Sequence, residues 1–367
     1  MFRIVFLLAA LAASSALTAQ STLAELQRLF ERERQGLTSG DREQGERLLA
    51  DHVKRLAAFV ARDAKDDDRW NGRLMLADLA MAKGDPAAAA GALKEIDTAA
   101  APALLLVTAA TFAQRLGLLE LRGQWIRAAI DKPAPLQDRL AMARLLMVVL
   151  HEVERGETIF AEALAAAATD EDKALVRWHR ADALRDREDL PDNAAYDELE
   201  KLAADLPRTY WGSVAKDRLR VTSLRVGDDA IPFRATTREH GEIVSSDQRG
   251  KAILLVFWQA DDRDLPRLVE MIAQMKKNAG DRLLVLGVSL DRDVATIEAA
   301  VKGVGITFPV VGDGKGTQGD VALRWFAEGP VVHVIDGRGK MAGIGLHAGT
   351  ADGRAELVEV VERATRP

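Results

Sequence analysis

The apolar residues of this chain change their period once, and that change limits what it can fold into. Up to residue 219 they recur at helical spacing. Leu74, Ala77 and Met81 stand at i, i+3 and i+7, and Ala89, Leu93 and Ile96 at i, i+4 and i+7. Each trio makes one stripe along a helix. From residue 226 onward, compact apolar runs alternate with helical stretches, the pattern of strands and helices sharing one sheet. The expected class is multidomain: an all-α helical-repeat domain over residues 21–220, then an α/β domain over residues 226–367.

Punctuation supports the helical reading. Gly84 suits the left-handed position that ends one helix, Asp85 caps the next, and Pro86 fits its first turn. The pattern recurs as a helix over residues 176–184, a turn at 187–191 and a helix over 196–206. Pro207 breaks that helix, and a further one ends near Leu219, leaving residues 221–225 as an extended link. Residues 76–96 and 180–219 resemble degenerate tetratricopeptide repeats, stacked hairpins that bury their faces on one another. No strict period is present, and an irregular helical bundle is the alternative.

Residues 1–20 read as a signal peptide. Arg3 flanks an apolar run over residues 4–13, and Ala16 and Ala19 are cleavage positions. Ten apolar residues are too few for a permanent span, which takes about 20. The mature protein is therefore expected to be exported, to the periplasm or the outside, with no stable transmembrane segment. The formal net charge is −6, and acids alternate with bases, as in Glu31-Arg32-Glu33-Arg34. Neither favours nucleic-acid binding, which needs clustered cations.

In the second half, residues 252–258 and 283–289 are buried strands joined through a helix over residues 265–277. That order implies a parallel pair. A helix follows over residues 295–302. Residues 331–335 and 341–346 form a hairpin around Asp336-Gly337-Arg338-Gly339, and a terminal helix carries Leu357, Val361 and Ala364 on one face. The landmarks in order are Val226-Gly227-Asp228, Ile231-Pro232-Phe233, Arg249-Gly250-Lys251, Phe257-Trp258, Leu290-Asp291, Phe308-Pro309-Val310 and Gly329-Pro330-Val331. On these, residues 226–364 resemble the thioredoxin-like fold, in its exported TlpA-type and alkyl-hydroperoxide-reductase-type branch.

The resemblance implies a cysteine pair after Phe257-Trp258, where a helix N-terminus would stabilise a thiolate. This chain reads Gln259-Ala260-Asp261-Asp262-Arg263-Asp264-Leu265-Pro266 there, and it has no cysteine at all. Neither a mixed disulfide nor a sulfenic acid can form. No catalytic residue, metal or cofactor is expected. Asp262 or Asp264 reads as a helix cap; a metal site of Asp261, Asp262 and Asp264 is disfavoured because adjacent residues rarely converge on one ion. The resemblance also implies that Pro330 is cis and that the residue before it, Gly329, pairs by backbone with an extended polypeptide. Trp258, Asp262, Gly329 and Pro330 are thus the candidate binding residues. Trp258, Trp325 and Phe326 line the adjoining surface or, as is commoner for such residues, belong to the core.

Other signals are weaker. The glycine-rich run Gly312-Asp313-Gly314-Lys315-Gly316-Thr317 has Pro309 where a phosphate loop needs its first glycine. His52, His151, His179, His240, His333 and His347 make no metal-ligand spacing. The leading reading is a non-catalytic interaction or scaffold protein with a protein or extended peptide partner. Its rivals are a relative of thioredoxin-family oxidoreductases that assists a cysteine-bearing partner or works without a thiol, and a structural remnant.

Overall fold

The structure, a computed structural model, describes residues 22–35, 42–62, 68–191, 193–239 and 241–366. The expected signal peptide and His240 lie outside the described residues. Packing divides the described residues into two compact units, one falling within residues 1–168 and 182–191, the other within residues 169–181 and 192–367.

The first unit is helical among its described residues. Its helices are α1 (Leu23–Gln35), α2 (Arg42–Val60), α3 (Asp68–Ala82), α4 (Pro86–Lys94), α5 (Ala103–Arg115), α6 (Leu119–Ile130), α7 (Leu136–Arg144) and α8 (Val153–Ala166). Neighbours in sequence pack as pairs, α3 on α4 and α5 on α6. The turn between α3 and α4 forms as its residues dictate. Gly84 has φ +75°, Asp85 Oδ1 accepts from the Ala88 N–H at 2.9 Å, and Pro86 opens the helix. Ala77, Ala89 and Leu93 are fully buried between the pair. One irregularity was not legible: after α7 the chain widens into a π turn at Leu145–Val149.

Helix α9 (Asp170–Arg185) passes from the second unit into the first, while α10 (Asn193–Asp205) and α11 (Tyr210–Ser223) belong to the second. Helix α11 runs through residues 221–223, which the sequence suggested were extended. Thr209 caps it, accepting from the Gly212 N–H at 3.0 Å.

The second unit's sheet has the order β5-β4-β3-β6-β7. Strand β3 (Ala252–Trp258) is parallel to β4 (Leu283–Ser289), which is parallel to β5 (Val310–Val311); β6 (Val331–Ile335) runs antiparallel to β3, and β7 (Met341–Leu346) to β6. A separate hairpin pairs β1 (Arg234–Thr237) with β2 (Gly241–Val244). Every residue of β3 is buried, because both faces of the sheet are covered. Ala252, Leu254, Val256 and Trp258 face α12 (Leu265–Ala279), α13 (Val294–Val304) and α15 (Ala351–Ala364). Ile253, Leu255 and Phe257 face the β1–β2 hairpin, α14 (Asp320–Arg324) and Trp325. The expected α/β domain is therefore present. No helix of the described residues is long and apolar enough to cross a membrane.

Candidate functional site

The four candidate residues fall at one end of the sheet. Strand β3 ends at Trp258, and β6 begins beside it, with Phe257 opposite Val331. Pro330 therefore enters the sheet next to Trp258. Trp258 itself presents no surface. Its side chain is fully buried, beneath Gly287, where a Cβ would stand 3.1 Å from Trp258 Nε1. That indole N–H has no hydrogen-bond partner. The outer surface here belongs to Gln259 and Ala260, both half-buried, and to exposed Asp261 and Arg263.

The turn after β3 is held from the neighbouring strand. The Leu290 N–H donates to Trp258 O at 2.9 Å. Asp291 Oδ2 accepts from the Ala260 N–H at 3.0 Å and from Ser289 Oγ at 2.8 Å. Asp291 was legible only as a family landmark. Its work, fixing the backbone at the turn where the resemblance implied a thiol, depends on a contact between strand ends that sequence spacing does not reveal.

Capping of α12 departs from expectation. Asp264 occupies the cap position, but its side chain makes no cap hydrogen bond. Its backbone is in the α region (φ −88°, ψ −10°), whereas a capping side chain needs an extended backbone to reach forward. The Asp264 carboxylate instead lies over the loop after β7, with Oδ2 3.1 Å from where a Gly349 Cβ would stand. Asp262 takes the polar role, Oδ1 accepting from the Asp264 N–H at 2.9 Å. Among the described residues no three acidic or histidine side chains gather as a metal site.

Gly329 and Pro330 are half-buried. The resemblance implied a cis Pro330; the described residues contain no cis peptide bond. A Cβ on Gly329 would meet nothing within 4 Å, so there is open space on the side where a side chain would stand. Trp325 and Phe326 part company. Trp325 is core, with His333 5.1 Å from its ring, while half-buried Phe326 lies under the Arg218 guanidinium at 3.9 Å. His333 is buried in the sheet, its Nδ1 accepting from the Gly345 N–H at 3.3 Å. Burial, and then the nearby charge of His347, push its pKa down to about 4. The glycine-rich run at 312–317 forms the loop before α14.

Comparison with known proteins points to the same domain. A family model described as the AhpC/TSA family matches residues 226–343. Thioredoxin-like protein YneN of Bacillus subtilis (strain 168) is 23% identical over 145 residues, 39% of this chain and 82% of that protein. Thiol-disulfide oxidoreductase ResA of Geobacillus kaustophilus is 29% identical over 126 residues, 33% of this chain and 68% of that protein. Among solved structures, a thiol:disulfide interchange protein of the thioredoxin family from Chlorobium tepidum aligns at 20% identity and TM-score 0.32. The alignment covers 39% of this chain and 99% of that one. The C-terminal α/β part of this chain is a thioredoxin-like domain related to thiol-disulfide oxidoreductases, with no cysteine anywhere in its sequence.

Proposed function

We propose that this protein is an exported, non-catalytic interaction protein whose thioredoxin-like domain binds an extended segment of a partner. One observation carries the reading: the chain has no cysteine, and the turn after Trp258 is occupied by carboxylates and an arginine. Thiol exchange begins with attack by a thiolate, so the domain has no means of starting it. A shared fold does not carry a shared activity, so function has to be argued from the surfaces this chain presents. Gly329 supports a docking strip, since nothing stands within 4 Å of where its Cβ would lie, at the sheet end beside the turn after Trp258. The apolar run behind Arg3 supports export, and the paired helices of the first unit support a degenerate tetratricopeptide-like scaffold.

Insulin-reduction and peroxide-consumption assays on the purified protein test the absence of catalysis. Rates at the protein-free blank are expected; sustained turnover overturns the reading. Gly329→Val tests the docking strip, because a branched side chain would cover the backbone. Loss of captured extended peptides, with unchanged melting, is expected. Cell fractionation with N-terminal sequencing tests export, and the mature chain should begin just after Ala16 or Ala19.

A further inference from the structure

Helices α1, α2, α3 and α5 of the first unit surround a cavity of about 900 Å³. Its apolar walls include Phe30, Met75 and Phe112, and its charged lining is Glu31, Asp68 and Asp78. Glu31 also pairs with Arg34 at 2.8 Å, but no lysine or arginine is among the described residues that line the cavity. Asp78 is exposed, and its carboxylate meets no hydrogen-bond or ion-pair partner among the described residues. His52 also lines the cavity, yet it is only 2% exposed, and its Nδ1 has no hydrogen-bond partner. Its ring stacks on Phe30, with centroids 4.2 Å apart and planes at 19°.

A polar atom is rarely left buried without a partner. Burial lowers the His52 pKa, Arg55 lowers it further, and Glu33 and Glu31 oppose them. The imidazole is therefore neutral at physiological pH, with one lone pair and one N–H to offer. The carboxylates attract a cation, the aromatic walls accept its apolar stem and add cation–π attraction, and Met75 adapts to irregular shapes.

We propose that this cleft binds a polypeptide segment that alternates basic and apolar side chains, with a lysine or arginine between Asp78 and Glu31 and an apolar neighbour against Phe30 and Phe112. The segment also supplies the partner that His52 lacks. This site belongs to the helical unit and does not depend on how the thioredoxin-like domain is read.

The test is fluorescence anisotropy on the full chain, with a labelled peptide of alternating lysine and leucine and a counterpart carrying glutamate for lysine. Saturable binding of the basic peptide alone is expected. Asp78→Asn with Glu31→Gln should weaken it by about fivefold or more, the loss expected for two exposed charge contacts. His52→Phe keeps the stacked ring and removes the stranded nitrogen. It should raise the melting temperature while weakening the peptide, a pairing that a purely structural histidine would not give. Equal binding of the acidic peptide, no binding of the basic one, or unchanged affinity in the Asp78/Glu31 double variant overturns the proposal. The double variant alters exposed positions, so it decides the matter even where His52→Phe fails to fold.

Discussion

Arg324 Nη1 donates to Asp217 Oδ2 at 2.6 Å and to Ser213 Oγ at 2.9 Å, while its Nε reaches Asp320 at 3.0 Å. Helix α11 is thereby fixed to α14 of the sheet domain. The apolar contacts agree: Leu323 packs with Trp178, Leu199, Leu202 and Val214 in one cluster. Arg218, only 5% exposed, lies between Trp178 and Phe326, with ring distances of 5.2 and 3.9 Å. Part of α9 and the whole of α10 and α11 thus share the compact unit of the thioredoxin-like domain.

Arg324→Ala should destabilise the protein by about 1–3 kcal/mol, between the small value of an exposed ion pair and the penalty for stranding one member of a buried pair. Both side chains are under 20% exposed, so water replaces the lost partner poorly. Arg324→Lys should recover only part of this, since one ammonium cannot reproduce the guanidinium fork. Urea unfolding of the three proteins measures both.

A fragment of residues 169–366 should unfold in one cooperative transition. A fragment of residues 226–366 would leave Leu323 and Phe326 uncovered and Arg324 without Asp217. It should melt at lower temperature and aggregate more readily. Calorimetry and light scattering on the pair check this.

His333 should make stability depend on acidity. Its folded-state pKa of about 4 lies below the ordinary 6.5, so between those values the unfolded chain holds the proton and the folded one does not. Stability is then full above pH 6.5, declines as pH falls towards 4, and levels off below. The accumulated loss is about 3 kcal/mol, at 1.36 kcal/mol per unit. His333→Val should remove that slope. Comparing the two proteins across pH isolates it from His52, whose pKa is also lowered.

Gly287→Ala probes the packing of Gly287 against Trp258. The new Cβ would stand 2.8 Å from Phe308 Cε2 and 3.1 Å from Trp258 Nε1. Overpacking at so closed a position costs about 1–3 kcal/mol. Urea unfolding should show the loss. Unchanged stability would mean that the tryptophan moves aside freely.

Much of the sheet was legible because its strands are apolar runs covered on both faces. Strands β3, β4, β6 and β7 begin and end where those runs do. The β1–β2 hairpin was not legible: its strands have four residues each, and Arg234-Ala235-Thr236-Thr237 buries only alternate positions. Two-residue β5 has no pattern to read. At the candidate site, the sequence placed Trp258, Asp262 and Pro330 at one end of the sheet. It favoured a core position for Trp258 without deciding it, and it could not show that Asp264 occupies a cap position with the wrong backbone angles to cap. Both depend on what packs against the turn from elsewhere in the chain, Gly287 in one case and Gly349 in the other.

A chain with no native thiol is a blank background for chemical labelling. One cysteine introduced at exposed Asp261 would be the sole target of a maleimide dye or spin label. Quenching or line broadening at that single position would then report whatever approaches the turn after Trp258.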